Sequence, residues 1–292
     1  MSEALVLPSP LQEITDPRLG AARVRLILKR DDLISPDLPG NKWRKLKFNL
    51  EAARRDGHRT LLTFGGAYSN HIRATAAAGA RFGFATIGVI RGEQHQPLNP
   101  SLQYAADRGM ELVYLDRASY RRKTSADVTG LLRGRFGRFY LLPEGGSNAL
   151  AAQGCAELPG ELSAQVAFDV VCVPCGTGGT LAGVAAGLAG GQRAIGFSAL
   201  RGGAGFLPAA IRTLQDEAFG GPRGRWLVDD EFHCGGFARR TPDLDVFISG
   251  FQARHGFTLD WVYVAKMMYG IYAHAQRGTF APGTTVVAVV TG

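Results

Sequence analysis

The chain has 292 residues, 46% of them apolar and 20% charged, with a formal net charge of +8. This length supports one large domain or two intimate lobes, and the composition excludes gross disorder. Gly, Pro or charge interrupts every apolar run within about ten residues, which excludes a bilayer span. The opening "MSEALVLPSPLQEI" has neither the basic nor the apolar region of a signal peptide, so a cytoplasmic location is expected.

Along the chain, short β-branched runs alternate with helical patterns. "VRLILKR" (24–30) predicts a strand, then a helix over about 42–55, the strand "TLLTFGG" (60–66) and a helix from about 69. "FATIGVI" (84–90), a helix near 98–108, "ELVYL" (111–115), a helix near 120–135 and "RFYLLPEGG" (138–146) continue the pattern. A helix after Asn148, "FDVVCVP" (168–174), a helix after Gly179, "RAIGFSAL" (193–200), a helix near 262–277 and "TTVVAVV" (284–290) complete it. Strands apolar along their whole length with helices between them predict an α/β fold with parallel sheets covered on both faces. Asn41, Ser69 and Asn148 stand where N-caps are expected. In such sheets ligands bind where strands end and helices begin. The loops "GNK", "GGAYSN", "EGGSN" and "CGTGGT" are therefore expected to converge on one site.

The basic residues are spread out; outside residues 42–47 the tightest cluster is "RASYRRK" (117–123). A solvated surface explains this better than a nucleic-acid face, which would concentrate charge among stacking aromatics. The four cysteines are too few for a disulfide framework, and "CVPC" (172–175) has no second pair to complete a zinc site, so no metal is expected. Cys172 reads as a small core residue.

"CGTGGTLAGV" (175–184) closes an apolar strand and opens a helix. Its small residues let backbone N–H groups approach an anion, and the helix N-terminus adds positive potential. No Lys follows the last glycine and the spacing is not G-x-G-x-x-G, so the loop predicts a phosphate but neither ATP nor a dinucleotide. The chain has six lysines against twenty-seven arginines, and Lys42, Lys45 and Lys47 fall within six positions. In the first turn of a helix capped by Asn41, Lys42 would lose its proton more readily, as an amine that forms a Schiff base must. Lys45 and Lys47 lack this argument and are expected to be solvated, or phosphate-facing at most. A phosphate loop together with an imine-forming lysine predicts pyridoxal 5'-phosphate.

"LKRDDL…GNKWRKLKFNL", "TFGGAYSNHIRATAAA", "EGGSN", "CGTGGT", "LDWVYVAKMMYG" and the terminal "VVTG" together resemble the D-cysteine desulfhydrase and 1-aminocyclopropane-1-carboxylate (ACC) deaminase family. These are fold-type II pyridoxal-phosphate enzymes related to the tryptophan synthase β-subunit. The resemblance runs from about residue 9 to the end. It implies two open parallel-sheet lobes, the larger built from 1–45 and 147–292 and the smaller, 46–146, inserted. It implies that Lys42 holds the cofactor, that Asn70 bonds its 3′-oxygen and that Gly176, Thr177, Gly178, Gly179 and Thr180 bind its phosphate. Thr291 would face the pyridine nitrogen. Ser69, Asn70 and His71 would receive the substrate carboxylate, with Ser69 aiding proton transfer and Tyr263 beside the substrate. A homodimer and a small amino-acid substrate are also implied.

The chain departs from the pattern at Val264, where ACC deaminases carry an acid, at Phe237, which corresponds to a second tyrosine, and at Tyr68, where many members carry glutamine. Opening a cyclopropane needs polar acid–base help, so a D-cysteine desulfhydrase-like activity is expected before ACC deamination. ACC deamination and non-catalytic binding of the cofactor are the alternatives.

Overall fold

The computed structural model describes residues 4–38 and 40–291. Its strands are β1 (Leu11–Ile14), β2 (Arg25–Lys29), β3 (Thr60–Gly65), β4 (Ala85–Arg91), β5 (Met110–Leu115), β6 (Tyr140–Leu142), β7 (Val170–Cys175), β8 (Arg193–Ser198), β9 (Trp226–Asp229) and β10 (Thr285–Val289). They form a six-stranded sheet, β1-β2-β10-β7-β8-β9, and a four-stranded sheet, β5-β4-β3-β6. Contacts divide the chain into two compact units. The smaller holds Lys42–Ser147 and the four-stranded sheet; the larger holds Ala4–Asn41 and the chain from Asn148 onward, with the six-stranded sheet.

In the larger unit the strand period of two distributes apolar side chains to both faces. Leu26, Leu28, Val170, Cys172, Val286 and Ala288 enter one core cluster. Their neighbours Ile27, Val171, Val173, Cys175, Val287 and Val289 enter the other. Burying each Leu, Ile or Val among them is worth about 1.5–3 kcal/mol, which is why β2, β7 and β10 read as continuous apolar runs. The same geometry disposes of "CVPC": Cys172 and Cys175 lie in opposite cores and cannot share a metal or a bond. Burial also pushes the Cys172 thiol upward, away from a reactive thiolate. Beside β7, a Cβ at Gly183 would collide with the Ala152 carbonyl, so glycine lets the helices Ala149–Cys155 and Gly179–Ala186 pack closely.

In the smaller unit the same alternation sends Leu62, Phe64, Ile87, Val89 and Val113 to one side and Ile90 and Met110 to the other, with Ile72 and Leu102. The expected helix over 120–135 is two helices, Arg117–Arg121 and Ala126–Phe136. Asp116 caps the first through the N–H groups of Ala118 and Ser119 (2.8 and 3.0 Å), and Ser125 Oγ donates back to the Arg122 carbonyl, closing the turn between them. Two short edge strands have no clear apolar signal: β1, which pairs antiparallel with β2, and β9. The helices Leu207–Phe219 and Pro242–His255 are likewise additions to the expected pattern. No described helix is long and apolar enough to cross a membrane.

Candidate active site

In the larger unit, β7 ends at Cys175 and the helix Gly179–Ala186 begins four residues later. Gly178 sits at φ +81°, and a Cβ there would lie 2.8 Å from Ile211 Cγ1; one at Gly176 would lie 3.2 Å from Tyr263 Cε1. Left-handed backbone and crowding both demand glycine at 178. No side chain caps the helix, so its first N–H groups suit an incoming phosphate.

Asn41 Nδ2 donates to Thr180 Oγ1 at 3.0 Å. This corrects its expected role: Asn41 is the first residue of the helix Asn41–Arg55, and its side chain reaches the phosphate loop. Gly40, at φ +60°, donates its N–H to the Asp31 carbonyl at 2.7 Å, and a Cβ on it would collide with the carbonyl of Thr291, itself buried. "GNK", "CGTGGT" and the terminal "VVT", far apart in sequence, thus meet through Gly40, Asn41, Thr180 and Thr291. Lys42 follows Asn41 directly and lies half-buried in the first turn of the helix.

Tyr263 is half-buried, its ring edge-on to Phe237 with centroids 5.9 Å apart. Phe237 is 49% exposed and follows three left-handed residues, Cys234, Gly235 and Gly236. Two residues that the motifs do not mark fix this wall. Lys266, 1% exposed, donates Nζ to the Gly236 carbonyl at 2.7 Å, and burial lowers its pKa. Asp260 accepts the N–H groups of Val262, Tyr263 and Val264 at 3.2, 2.8 and 3.3 Å, which aligns the start of the helix Val264–Gln276. An Asp just ahead of a helix is a capping signal legible in sequence; a buried lysine has no such signature. Val264 is turned into the core.

The smaller unit supplies the "GGAYSN" helix end. Ser69 caps the helix Asn70–Phe82, accepting from Ile72 N–H at 3.4 Å. A Cβ on Gly65 would sit 2.8 Å from Ser69 Oγ, so glycine lets the hydroxyl lie on the strand end. Ser69 and Asn70 are half-buried, whereas Tyr68 is exposed. His71 differs from the expectation of a substrate contact, because its ring is buried. Thr63 Oγ1 donates to the Leu142 carbonyl at 3.0 Å and lies 2.8 Å from His71 Nε2, which makes Nε2 the donor and Nδ1 bare. A Cβ at Gly146 would meet His71 Cε1 at 2.7 Å. Burial, then the charges of Lys42 and Lys45, hold the His71 pKa well below the usual histidine range. The His71 imidazole is therefore turned to the core and to Thr63, not left to face a carboxylate.

Lys45 also departs from expectation. It is 3% exposed, and its Nζ donates to the Gly145 carbonyl and to Ser147 Oγ at 3.0 and 3.1 Å. It ties "EGGS" to the lysine helix and is not solvated. Lys47 is half-buried, its ammonium 4.7 Å from the Phe48 ring centroid.

The residues fit pyridoxal phosphate on chemical grounds: a loop at a helix start whose Gly178 has no room for a Cβ and whose Gly176 has little, and a lysine one residue from the asparagine that touches the loop. Among the described residues there is no cluster able to hold a metal. Residues 3–220 match the pyridoxal-phosphate dependent enzyme family. The chain is 29% identical to a D-cysteine desulfhydrase of Klebsiella pneumoniae, covering 99% of this chain and 93% of that protein. It is 30% identical to a D-cysteine desulfhydrase of Yersinia enterocolitica, over 91% and 86% of the two. A crystal structure of an ACC deaminase homologue superimposes with a TM-score of 0.84 at 27% identity, covering 100% of this chain and 91% of the other. This chain belongs to the pyridoxal-phosphate dependent enzymes, with pyridoxal phosphate as its cofactor.

Proposed function

We propose that the enzyme is a β-eliminating, deaminating lyase of the D-cysteine desulfhydrase type, converting a cysteine-like amino acid and water to pyruvate, ammonia and sulfide. The observation that carries this reading is the wall at Tyr263. Val264 is buried, Phe237 is apolar, Asp260 is committed to three backbone N–H groups and Lys266 to the Gly236 carbonyl, so among the described residues of this wall Tyr263 is the acid–base group left for a substrate. Loss of a thiolate from Cβ needs at most one proton donor; opening a cyclopropane asks for more.

When bound, the cofactor withdraws electrons from Cα of the amino acid and makes its α-proton acidic. Gly176–Thr180 anchor its phosphate through backbone N–H groups, and Asn41 fixes Thr180. Thr291, two residues past the end of β10, would offer a hydroxyl to the pyridine nitrogen and so favour its unprotonated form. Asn70 would orient the ring through its 3′-oxygen. Lys42 would hold the cofactor, and its Nζ would take the α-proton of a bound amino acid. Ser69 and the N–H groups at the start of the helix Asn70–Phe82 bind the substrate carboxylate, and Ser69 assists the proton transfer. Tyr263 donates toward the departing sulfur. The enzyme works in the cytoplasm as a homodimer.

Protein loaded with pyridoxal phosphate is given D-cysteine, L-cysteine, β-chloroalanine, serine and ACC. Pyruvate with stoichiometric sulfide from D-cysteine, and little 2-oxobutyrate from ACC, is expected. Faster release of 2-oxobutyrate from ACC would replace this reading with ACC deaminase. Cofactor binding without turnover of any of the five would mark a binding protein.

A further inference from the structure

The basic stretch "RASYRRK" plays no part in the cofactor chemistry, yet the fold gives it a definite shape. In the smaller unit, Arg91 at the end of β4, Arg117, Tyr120 and Arg121 in the helix after β5, Lys123, and Glu144 after β6 line a cavity of about 290 Å³. These positions all follow the carboxyl ends of parallel strands, the edge where α/β sheets receive ligands. Tyr120 is the floor. Its buried hydroxyl donates to Glu144 Oε1 at 2.9 Å, while Arg91 Cζ and Lys123 Nζ stand 5.8 and 4.8 Å from its ring centroid. Lys123 pairs with the other Glu144 oxygen at 3.1 Å, so the one carboxylate of the cleft is already engaged. Among the described residues, Arg91, Arg117 and Arg121 form no ion pair. The adjacent Arg122, outside the cavity, is paired with Asp127 at 3.1 Å. Positive charge is therefore left uncompensated inside the cleft and compensated next to it.

We propose that this cleft is an anion site for a small phosphate-bearing molecule, held by Arg91, Arg117 and Arg121. Guanidinium forks match a phosphoryl dianion, whose three oxygens can each accept from a different arginine, whereas a monocarboxylate would leave most of the charge unanswered. The volume lies at the floor of the roughly 300–1,000 Å³ of sites for drug-sized ligands, which favours inorganic phosphate or a small phosphate monoester over a nucleotide. Arg91 Nη2 lies 3.4 Å from where a Cβ on Gly66 would be, so one cation of the site rests against the "GGAYSN" loop. None of these residues takes part in the cofactor or substrate roles proposed above.

The test uses enzyme loaded with pyridoxal phosphate, so that the glycine loop is filled, and titrates inorganic phosphate and glycerol 3-phosphate by calorimetry at constant low ionic strength. One saturable site is expected, weakened about tenfold or more in R117S/R121S, or about 1.4 kcal/mol, with an unchanged melting temperature. R122S should bind within about twofold of wild type, since its charge is already paired. Tighter binding of glycerol 3-phosphate would identify an organic ligand, and tighter binding of phosphate an inorganic one. Absence of saturable binding of both, or equal weakening in R122S, would overturn the site in favour of a diffusely charged surface.

Discussion

The two units build the turns proposed above to bind anionic groups, each at the carboxyl edge of a parallel sheet, by different means. In the larger unit the strand-to-helix turn after β7 is crowded by Ile211 and Tyr263 at Gly178 and Gly176, so glycine is required at 178 and favoured at 176. In the smaller unit the equivalent turn after β3 is built from side chains: Ser69 caps the helix, and buried His71 and Lys45 brace the loops beside it. The difference suits the ligands proposed for each. A cofactor phosphate that stays through every turnover can sit on fixed backbone N–H groups. A substrate that must enter, react and leave meets groups able to donate, accept and move a proton.

Four substitutions and one control probe that contrast. The largest effect is expected from Lys42→Ala, which should lower kcat about 10³-fold or more if the lysine acts as a unit with the cofactor as proposed; steady-state turnover with the preferred amino acid is the check. Tyr263→Phe follows, with a loss of about 10²–10⁴ in kcat for removal of an acid–base group and little change in cofactor affinity, separable by titrating cofactor and substrate independently. Gly178→Ala puts a Cβ at φ +81° against Ile211. Backbone strain of about 1–3 kcal/mol should appear as weaker cofactor binding, while the equivalent change at Gly66, whose Cβ would meet only Arg91 Nη2 at 3.4 Å, should leave binding intact. Lys45→Met should keep the cofactor but destabilise the enzyme by about 1–3 kcal/mol through the unmet Gly145 carbonyl and Ser147 hydroxyl, read as a lower urea midpoint.

The smallest effect concerns pH. His71 is held neutral in the fold by burial and by two lysines, so its folded pKa lies well below its unfolded value of about 6.5. Below that value the unfolded chain binds a proton that the folded chain refuses. This part of the stability is complete above about pH 6.5 and is lost as pH falls below it. Unfolding midpoints at about pH 7.5 and about pH 5.5 should converge in His71→Gln, which retains a donor for Thr63, relative to wild type.

The apolar strands and the glycine loop were legible because each rests on a local rule: two-sided burial for β2, β7 and β10, and lack of side chains at a strand-to-helix turn. The edge strands β1 and β9 were not, because an edge carries mixed polarity. Lysine usage was only partly legible. Scarcity drew attention to Lys42, but Lys29, Lys45 and Lys266 are buried structural donors. Each sends a compact ammonium to backbone carbonyls or polar side chains: Ser9, Gln165 and the Glu161 carboxylate for Lys29, Gly145 and Ser147 for Lys45, and Gly236 for Lys266. A bulkier guanidinium would not fit such a point contact, so lysine persists there for packing as well as for chemistry. His71 misled for a related reason: its place in "SNH" suggests substrate, whereas its bonding to Thr63 is a tertiary fact no local pattern carries.

The most direct test asks which of the three clustered lysines carries the cofactor. The enzyme with bound pyridoxal phosphate is reduced with borohydride, digested, and the modified peptide read by mass spectrometry. The account predicts the pyridoxyl mass on Lys42 alone; the same mass on Lys45 or Lys47, or on no lysine of the stretch, would contradict it.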